Sequence, residues 1–582
     1  MNGSRTRLLA PCLLILVIAG GLFLRLHGIG FLLPGQSEPD GVVYSAQVKA
    51  FQQGFIEDET KNLYAFYPHL VSRLAAGIAA PLVETTPATD LAEHVARAAE
   101  PRRRIRIAVA LLSLLAIPAV WLLTRRCVDP PFDLIAAVFM AASFFTLWFA
   151  QQARPHAALS ALLCLGVLAA LHVRAVGGWK AFVCAGLAAG LAIGTLQSGT
   201  AVLPALALAV VLRAAAREES WRRLAVGASI ALAIIAVTFI LYYPFVFTAG
   251  ERGDIGTSES TLRLSGHLVD LKLFNGGGFA TVGRSLWEYD PLLCALAVCG
   301  ILFGLHALAT RNSPLSRTQR DSLWIVLAFV VPYTVVIGLY ARTYQRFALP
   351  LVPFECALAA YALCRVVGLA AALGCLARRF AELAVVLLVA FQVFGAWRLV
   401  DARAQPSTID ETARWIERNV APDARISFLP MMELPLLYTP AALQASAYAQ
   451  YDVSFLWFRY LHALGPQAFV GRTWDLRALA LVTPELRESA RADPDAFLRA
   501  QDADYFVIPV SGDTRRALLV GLREAAARIG TRVARISPDG TDEGEDLLFS
   551  YQDDDVERTT PWFARGLRAR CTGPIVEIYS LR

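Results

Sequence analysis

Charge is scarce in this sequence. Only 18% of its 582 residues are Asp, Glu, Lys or Arg, against roughly a quarter in an average soluble domain. Lysine is nearly missing, with four residues (49, 61, 180 and 272) among 54 basic ones. The net charge of +6 is therefore not a nucleic-acid signal, and no nucleic-acid partner is expected. Ten cysteines are present, but no two form a CxxC pair. Eight of them (12, 164, 184, 294, 299, 356, 364 and 375) lie in apolar runs or beside them, while Cys127 falls in a short basic stretch and Cys571 stands alone near the end. No disulfide framework follows from such spacing.

Apolar surface is plentiful. The chain is 56% hydrophobic with a mean hydropathy of +0.49. Runs of about 17 to 25 apolar residues, the length that crosses a hydrocarbon core of about 30 Å, recur through the first 400 positions. They fall at 8–24, 105–124, 133–150, 157–173, 181–196, 199–213, 224–247, 289–309, 322–340, 347–364 and 381–399. The first follows Arg5 and Arg7 as a signal peptide would, but it lacks a small-x-small cleavage site and reads as a retained anchor. The expected fold is a multi-pass α-helical membrane protein of about eleven transmembrane helices, residues 1–400, with a C-terminal soluble α/β domain, residues 401–582.

Basic residues set the expected orientation. Arg125/Arg126, Arg174/Lys180, Arg213/Arg217/Arg222/Arg223, Arg311/Arg317/Arg320 and Arg365/Arg378/Arg379 all fall in alternate short loops, as the positive-inside bias requires of cytoplasmic ones. Eleven spans then place the tail on the other side of the membrane. Three segments on that side are long. Residues 25–104 hold amphipathic stretches near 41–54 and 68–82 that suit a membrane surface. Residues 248–288 are rich in Gly, Ser and charge and read as a mobile loop. The tail offers β-rich runs "ARISFLP", "DYFVIPV" and "PIVEIYSL", a capping box of Thr408 with Glu411, and a second helix closing on Gly530. It has no metal-ligand or phosphate-loop spacing and reads as a stabilising or acceptor-recognising lid.

The chemistry-bearing stretch is "GFLLPGQSEPDGVVYSAQVKAFQQG", residues 30–54. Glu38 and Asp40 follow a Pro-Gly turn just past the first span, and an amphipathic stretch with Tyr44 and Lys49 comes next. A carboxylate at headgroup depth is placed to take a proton from an acceptor hydroxyl as a general base, although ordinary solvated loop acids would look the same. A departing lipid phosphate needs fixed cations. Arg25, Arg106, Arg154, Arg342 and Arg346 fall at span ends on the same expected face, with His69 and His156 as further polar groups. Some of these arginines are expected to be membrane-end anchors. A transporter would instead put ionisable groups on broken helices near the midplane. A non-catalytic scaffold would need neither arrangement.

These residues resemble the GT-C membrane glycosyltransferases that use polyprenyl-phosphate sugars, in the branch of the protein O-mannosyltransferases and the lipid A aminoarabinose transferase. "LRLHGIG" followed by "PDGVVYSAQVKAFQQG" looks like that branch's arginine, acidic motif, tyrosine and surface helix. "FYPHLVSRLAAG" is similar to its proline-leucine motif, and "RIAVALLSLLAIPAVWLLTRR" to its second span, with Arg106 on the motif arginine. "AGLAAGLAIGTLQSGTAVLPALAL", "YYPFVF" and "QRFALPLVPFECALAAY" resemble its glycine-rich hairpin, helix end and "RY-x-x-P-x-x-P" helix. "ETARWIERNVAPDARI" and "GPIVEIYSL" resemble tail segments of bacterial relatives. The resemblance implies a sugar donor on a polyprenyl phosphate, a lipid, glycan or protein acceptor, membrane lipid surroundings, no cofactor and no metal. It also implies Asp40 as base and Arg25, Arg106 and Arg346 as phosphate-holding or organising groups, in a bacterial inner membrane with the active face in the periplasm. This chain departs from the pattern in three places. Gly41 follows Asp40 where a second acid is usual, "FYPH" lacks a lysine, and so does "TLQSG".

Overall fold

The computed structural model describes residues 3–35, 38, 41–53, 67–78, 90–128, 130–243, 261–264, 267–309, 316–429, 432–445, 456–465, 471–479, 484–510, 517–541 and 561–581. It divides into two compact units, the first built from Met1–Leu26, Val43–Ala79 and Ile105–Trp397, the second from His27–Val42, Ala80–Arg104 and Arg398–Arg582.

The first unit is helical. Among the described residues, eight helices are long and apolar enough to cross a membrane, and ten spans result if each of two bent pairs counts as one. Ala10–Leu26 is a shorter apolar helix. Two of the three positions separating these eight from the eleven helices expected are the bent pairs, and the third is the short Ala10–Leu26 helix. Phe132–Ala141 turns by 41° into Phe144–Ala150, and Gly277–Tyr289 turns by 118° into Pro291–Ala307.

A break inside an apolar bundle leaves backbone N–H groups without partners, which is costly away from water. Here one carboxylate, on the residue at which the second pair turns, supplies acceptors for the first break. Asp290 Oδ1 accepts from the Phe144 N–H (3.0 Å) and Gln392 Nε2 (2.6 Å), and Oδ2 accepts from Ser143 Oγ (2.7 Å) and the Phe145 N–H (3.1 Å). Gln392 Nε2 also donates to the Ala142 carbonyl at 3.1 Å. Ser143 is at the same time the N-cap of its helix, accepting from the Thr146 N–H.

The stretch 248–288 is not a plain loop. Among its described residues, Thr261–Leu264 (β1) and His267–Asp270 (β2) form an antiparallel hairpin, and Gly277–Tyr289 is a helix. Its glycines serve helix entry and close packing. Gly276 starts the helix in the left-handed region (φ 90°), and a Cβ on Gly278 would run into the Ile337 carbonyl. Residues 248–260 lie outside the described residues.

The second unit contains six strands: β3 (Arg425–Phe428), β4 (Leu437–Tyr438), β5 (Thr473–Ala478), β6 (Tyr505–Val510), β7 (Thr531–Ile536) and β8 (Ile575–Ser580). Their order is β4-β5-β3-β6-β8-β7, parallel from β4 to β6 and antiparallel at β8 and β7. Side-chain alternation separates the two faces. Val507, Val576 and Ile578 join one apolar core with Ile409, Ile416 and Trp457, while Phe506, Ile508 and Tyr579 join another with Leu519, Leu522 and Ala525. The helix Thr408–Asn419 carries a capping box one residue earlier than expected. Ser407 Oγ accepts from the Asp410 N–H and the Asp410 carboxylate accepts from the Ser407 N–H. Thr408 is instead buried inside the first turn.

Glu577 sits on the second face, fully buried. Arg523 from the covering helix Ala517–Ile529 grips it with two donors (2.6 and 2.9 Å), Arg535 and Arg532 of β7 add contacts at 2.8 and 3.1 Å, and the Tyr579 hydroxyl donates at 2.7 Å. Burial would push this carboxyl up, but the hydrogen bonds from Arg523 and Tyr579 and the charges of Arg523 and Arg535 overcome it, holding the group down at about 2. A carboxylate depressed in the folded state contributes stability above its unfolded value, about 4.3, and loses it as pH falls toward 2. The protection factors of the β8 amides in the full protein, measured against intrinsic exchange at each pH, should therefore fall between about pH 4.3 and 2 in the wild type. In Glu577→Gln the same protection factors should be lower at pH 7 and much less dependent on acid.

Candidate functional site

The first span ends on Arg25, which is fully buried. Its Nε donates to Ser113 Oγ at 2.9 Å, and Nη1 donates to the carbonyls of Gly21 (3.1 Å) and Ala141 (3.3 Å). The guanidinium thus ties together Gly3–Leu26, Leu91–Leu114 and Phe132–Ala141. Gly21 makes room for the crossing, because a Cβ there would meet Ile117 Cδ1. Gln151 closes the helix end by donating from Nε2 to the Leu24 (3.0 Å) and Arg25 (3.3 Å) carbonyls, which have no partner inside the helix. These bonds make Arg25 a structural tie, with its donors directed to protein oxygens. Arg106 is also fully buried, on Leu91–Leu114.

A second set of groups converges behind the helix Gly41–Gln53. Tyr44 is fully buried, with its ring edge-on to Tyr67 at 5.8 Å. Gln47 Nε2 donates to the Tyr67 carbonyl at 3.1 Å, and Ser72 Oγ donates to Gln47 Oε1. His69 stands edge-on to Phe51 at 5.3 Å, and its N–H donates to the Tyr242 carbonyl at 2.8 Å. Arg73 lies over Phe51 and Tyr242, at 5.2 and 5.8 Å. The two surface helices are thereby joined to each other and to the end of Trp221–Tyr242. Gln197, in the "TLQSG" stretch, reaches the same end by donating to the Tyr243 hydroxyl at 2.5 Å. Gln47, Gln197 and Tyr243 are neutral, so no charge in the sequence marks them. A lone amide interrupting an apolar run is the signal that marks them.

A third cluster gathers the cations. Arg154 and Arg346 both lie within electrostatic reach of His156. The His156 ring stacks on Phe347 at 5.6 Å, and the Arg346 guanidinium lies over Tyr344 (4.2 Å) and Phe347 (5.4 Å). Arg154 and His156 are buried, Arg346 is half-buried and Arg342 is exposed. The supporting framework runs back to the helix breaks. The Tyr289 hydroxyl donates to Gln345 Oε1 (2.7 Å), Tyr333 to the Phe347 carbonyl (2.8 Å) and Ser160 to the Leu349 carbonyl (2.8 Å).

Of the acid pair, Glu38 is described and fully buried, in the second unit. Its carbonyl accepts from the Gly41 N–H at 3.1 Å, starting the surface helix. Asp40 and the Lys49 side chain lie outside the described residues. The segment bearing the acids is anchored by Phe31 and Leu32, both members of the apolar core that also contains Trp457 and Val507. Leu32 is held at φ 58°, a conformation that costs a non-glycine residue on the order of 1–3 kcal/mol and persists only where packing fixes it. Gly28 (φ 72°) lies against the backbone of Val400, Arg403 and Ala404, and the Arg403 guanidinium covers the Phe31 ring at 4.1 Å.

Residues 98–244 match the family model for dolichyl-phosphate-mannose-protein mannosyltransferase. The resemblance read from the sequence is borne out over that stretch. It includes Arg106, Arg154, the glycine-rich hairpin, and Gln197 with Tyr243. No curated protein matches the chain. Among solved structures, the Archaeoglobus fulgidus oligosaccharyltransferase in its apo form is similar at 13% identity and a TM-score of 0.45, covering 94% of this chain and 75% of that one. ArnT from Cupriavidus metallidurans, bound to undecaprenyl phosphate, is similar at 17% identity and a TM-score of 0.40, covering 97% of each. At such scores the fold rests on the elements described above.

The cation cluster depends on the helix breaks, so Asp290→Ala should act through them. Stranding buried donors costs on the order of 1–3 kcal/mol each. Thermal unfolding of the purified protein in detergent should show Asp290→Ala strongly destabilised, and Asp290→Asn, which keeps one acceptor, less so.

Proposed function

We propose that the protein is an integral-membrane glycosyltransferase that moves a sugar from a polyprenyl-phosphate carrier to an acceptor hydroxyl on the non-cytoplasmic side. The observation that carries this reading is the family match over residues 98–244, within which Arg154 falls. Arg154 and Arg346 near one imidazole make a site suited to a phosphate. In this mechanism Asp40 takes the acceptor proton, and the acceptor oxygen attacks the sugar C1. The C1–O bond to the carrier breaks, and the polyprenyl phosphate leaves with its electrons toward Arg154 and Arg346. Their fixed charge favours the transition state over the ground state because negative charge grows on that oxygen as the bond breaks.

Arg25 and Arg106 organise the helices around the site, and Tyr44, Lys49 and His69 bind the donor. Glu38 supports Asp40 from a buried position. Arg342 acts as an exposed anchor. Residues 401–582 form an α/β domain whose core holds the acid segment, and the site faces the periplasm of a bacterial inner membrane. A transport reading draws on the two broken helices and the buried Asp290, which resemble the half-helix sites of carriers. The hydrogen bonds accepted by Asp290 give it a structural role instead.

Membranes containing the wild type, Asp40→Asn, Glu38→Gln or Arg346→Ala, supplied with radiolabelled polyprenyl-phosphate sugars, test the reading. Asp40→Asn should lower transfer by about 10²- to 10⁴-fold at normal protein level, and Glu38→Gln by less. Arg346→Ala should lower kcat/KM. Equal transfer by wild type and Asp40→Asn would falsify the base assignment. Movement of lipid-linked sugar across the bilayer without transfer would favour the transporter.

A further inference from the structure

The helices Ala116–Thr124, His156–Ala175 and Gly178–Thr195 enclose a groove of about 540 Å³ in the first unit. Leu122, Leu165 and Leu168 form its apolar wall, and Arg125, Arg126 and His172 stand at one end. That end is fixed by the helices themselves, since Arg125 and Arg126 follow Thr124 directly and His172 lies in the last turn of its helix. Cations there oppose the negative pole of the helix C-termini. Among the described residues, no carboxylate pairs with either arginine. Two tryptophans mark the level: Arg125 lies over the Trp121 ring at 4.5 Å, and Lys180 lies over the exposed Trp179 at 5.7 Å. Tryptophans at span ends sit at headgroup depth. The groove therefore runs from a cationic headgroup layer along the hydrocarbon.

We propose that this groove is a binding site for an anionic phospholipid, with one acyl chain against Leu122, Leu165 and Leu168 and the phosphate against Arg125 and Arg126. Basic pockets between spans on the cytoplasmic side hold anionic headgroups by this chemistry, and the loop after Thr124 is one of those expected on that side. A zwitterionic headgroup brings its own cation against the arginines and loses the advantage. None of these residues belongs to the transfer site, so the two readings stand or fall separately.

The test is a lipid titration of delipidated full-length protein in detergent, read by native mass spectrometry. The probes are dioleoyl-phosphatidylglycerol, dioleoyl-phosphatidylcholine and undecaprenyl phosphate. One phosphatidylglycerol should bind the wild type in preference to phosphatidylcholine. Its affinity should fall on the order of ten- to thirtyfold in Arg125→Gln/Arg126→Gln, given about 1 kcal/mol per arginine at a membrane surface, and should fall in Ala169→Trp, which fills the groove. Arg222→Gln/Arg223→Gln, a basic pair elsewhere, should bind as the wild type does. Equal binding of phosphatidylcholine, loss of the same lipid in the Arg222/Arg223 variant, or its displacement by equimolar undecaprenyl phosphate would overturn the assignment. A diazirine-bearing phosphatidylglycerol supplies a measurement on the wild type alone. Adducts on residues 165–172 or on Cys184 support the site, and adducts confined to other segments overturn it.

Discussion

The membrane unit depends on the Asp290 carboxylate. A helix that breaks inside an apolar bundle must find acceptors for the N–H groups it frees, and the break after Ala142 finds them on the residue at which a second helix turns. Both turns therefore meet at Asp290. Tyr289, one residue back, stacks on Phe145 at 4.5 Å and donates to Gln345, which is followed by Arg346 and Phe347. A chain of contacts therefore runs from the paired breaks to the cluster of Arg154, His156 and Arg346. The position of those cations is a consequence of how the bundle satisfies its own backbone.

The acidic segment is held by different means. Residues 27–42 belong to the same compact unit as the tail, and Phe31 and Leu32 are part of the core beneath its sheet. A tail that only covered a site would have no reason to take core residues from the first loop. The left-handed Leu32 and Gly28 bend the chain so that both apolar side chains enter that core, and burial offsets the strain. The core of the tail thus includes residues of the loop that carries Glu38.

Much of this was legible in the sequence because it rests on hydrophobic period and length. The apolar runs mark the spans, the amphipathic stretches near 41–54 and 68–82 become Gly41–Gln53 and Leu70–Gly77, and the three β-rich runs of the tail become strands. What was illegible depends on partners distant in the chain. Nothing near Ser143 announces a break, since its reason is Asp290, 147 residues away. The capping box stands one residue earlier than expected because Ser407 and Thr408 both precede an acid at the right distance, and only burial of Thr408 decides between them. The glycine-rich stretch 248–288 read as loop because glycine signals turns and close packing alike.

The arginines show why residue type alone did not separate structure from site. Arg25 and Arg346 look equivalent as span-end cations. Arg25 meets a serine hydroxyl and three main-chain carbonyls, those of Gly21, Met140 and Ala141, and a guanidinium so engaged has little left to offer a substrate. Arg346 instead lies over the rings of Tyr344 and Phe347, at 4.2 and 5.4 Å. Tyr344 and Phe347 flank Arg346 in the chain itself, so its aromatic contacts were legible beside it, whereas Ser113, Met140 and Ala141, which hold Arg25, lie 88 to 116 residues away.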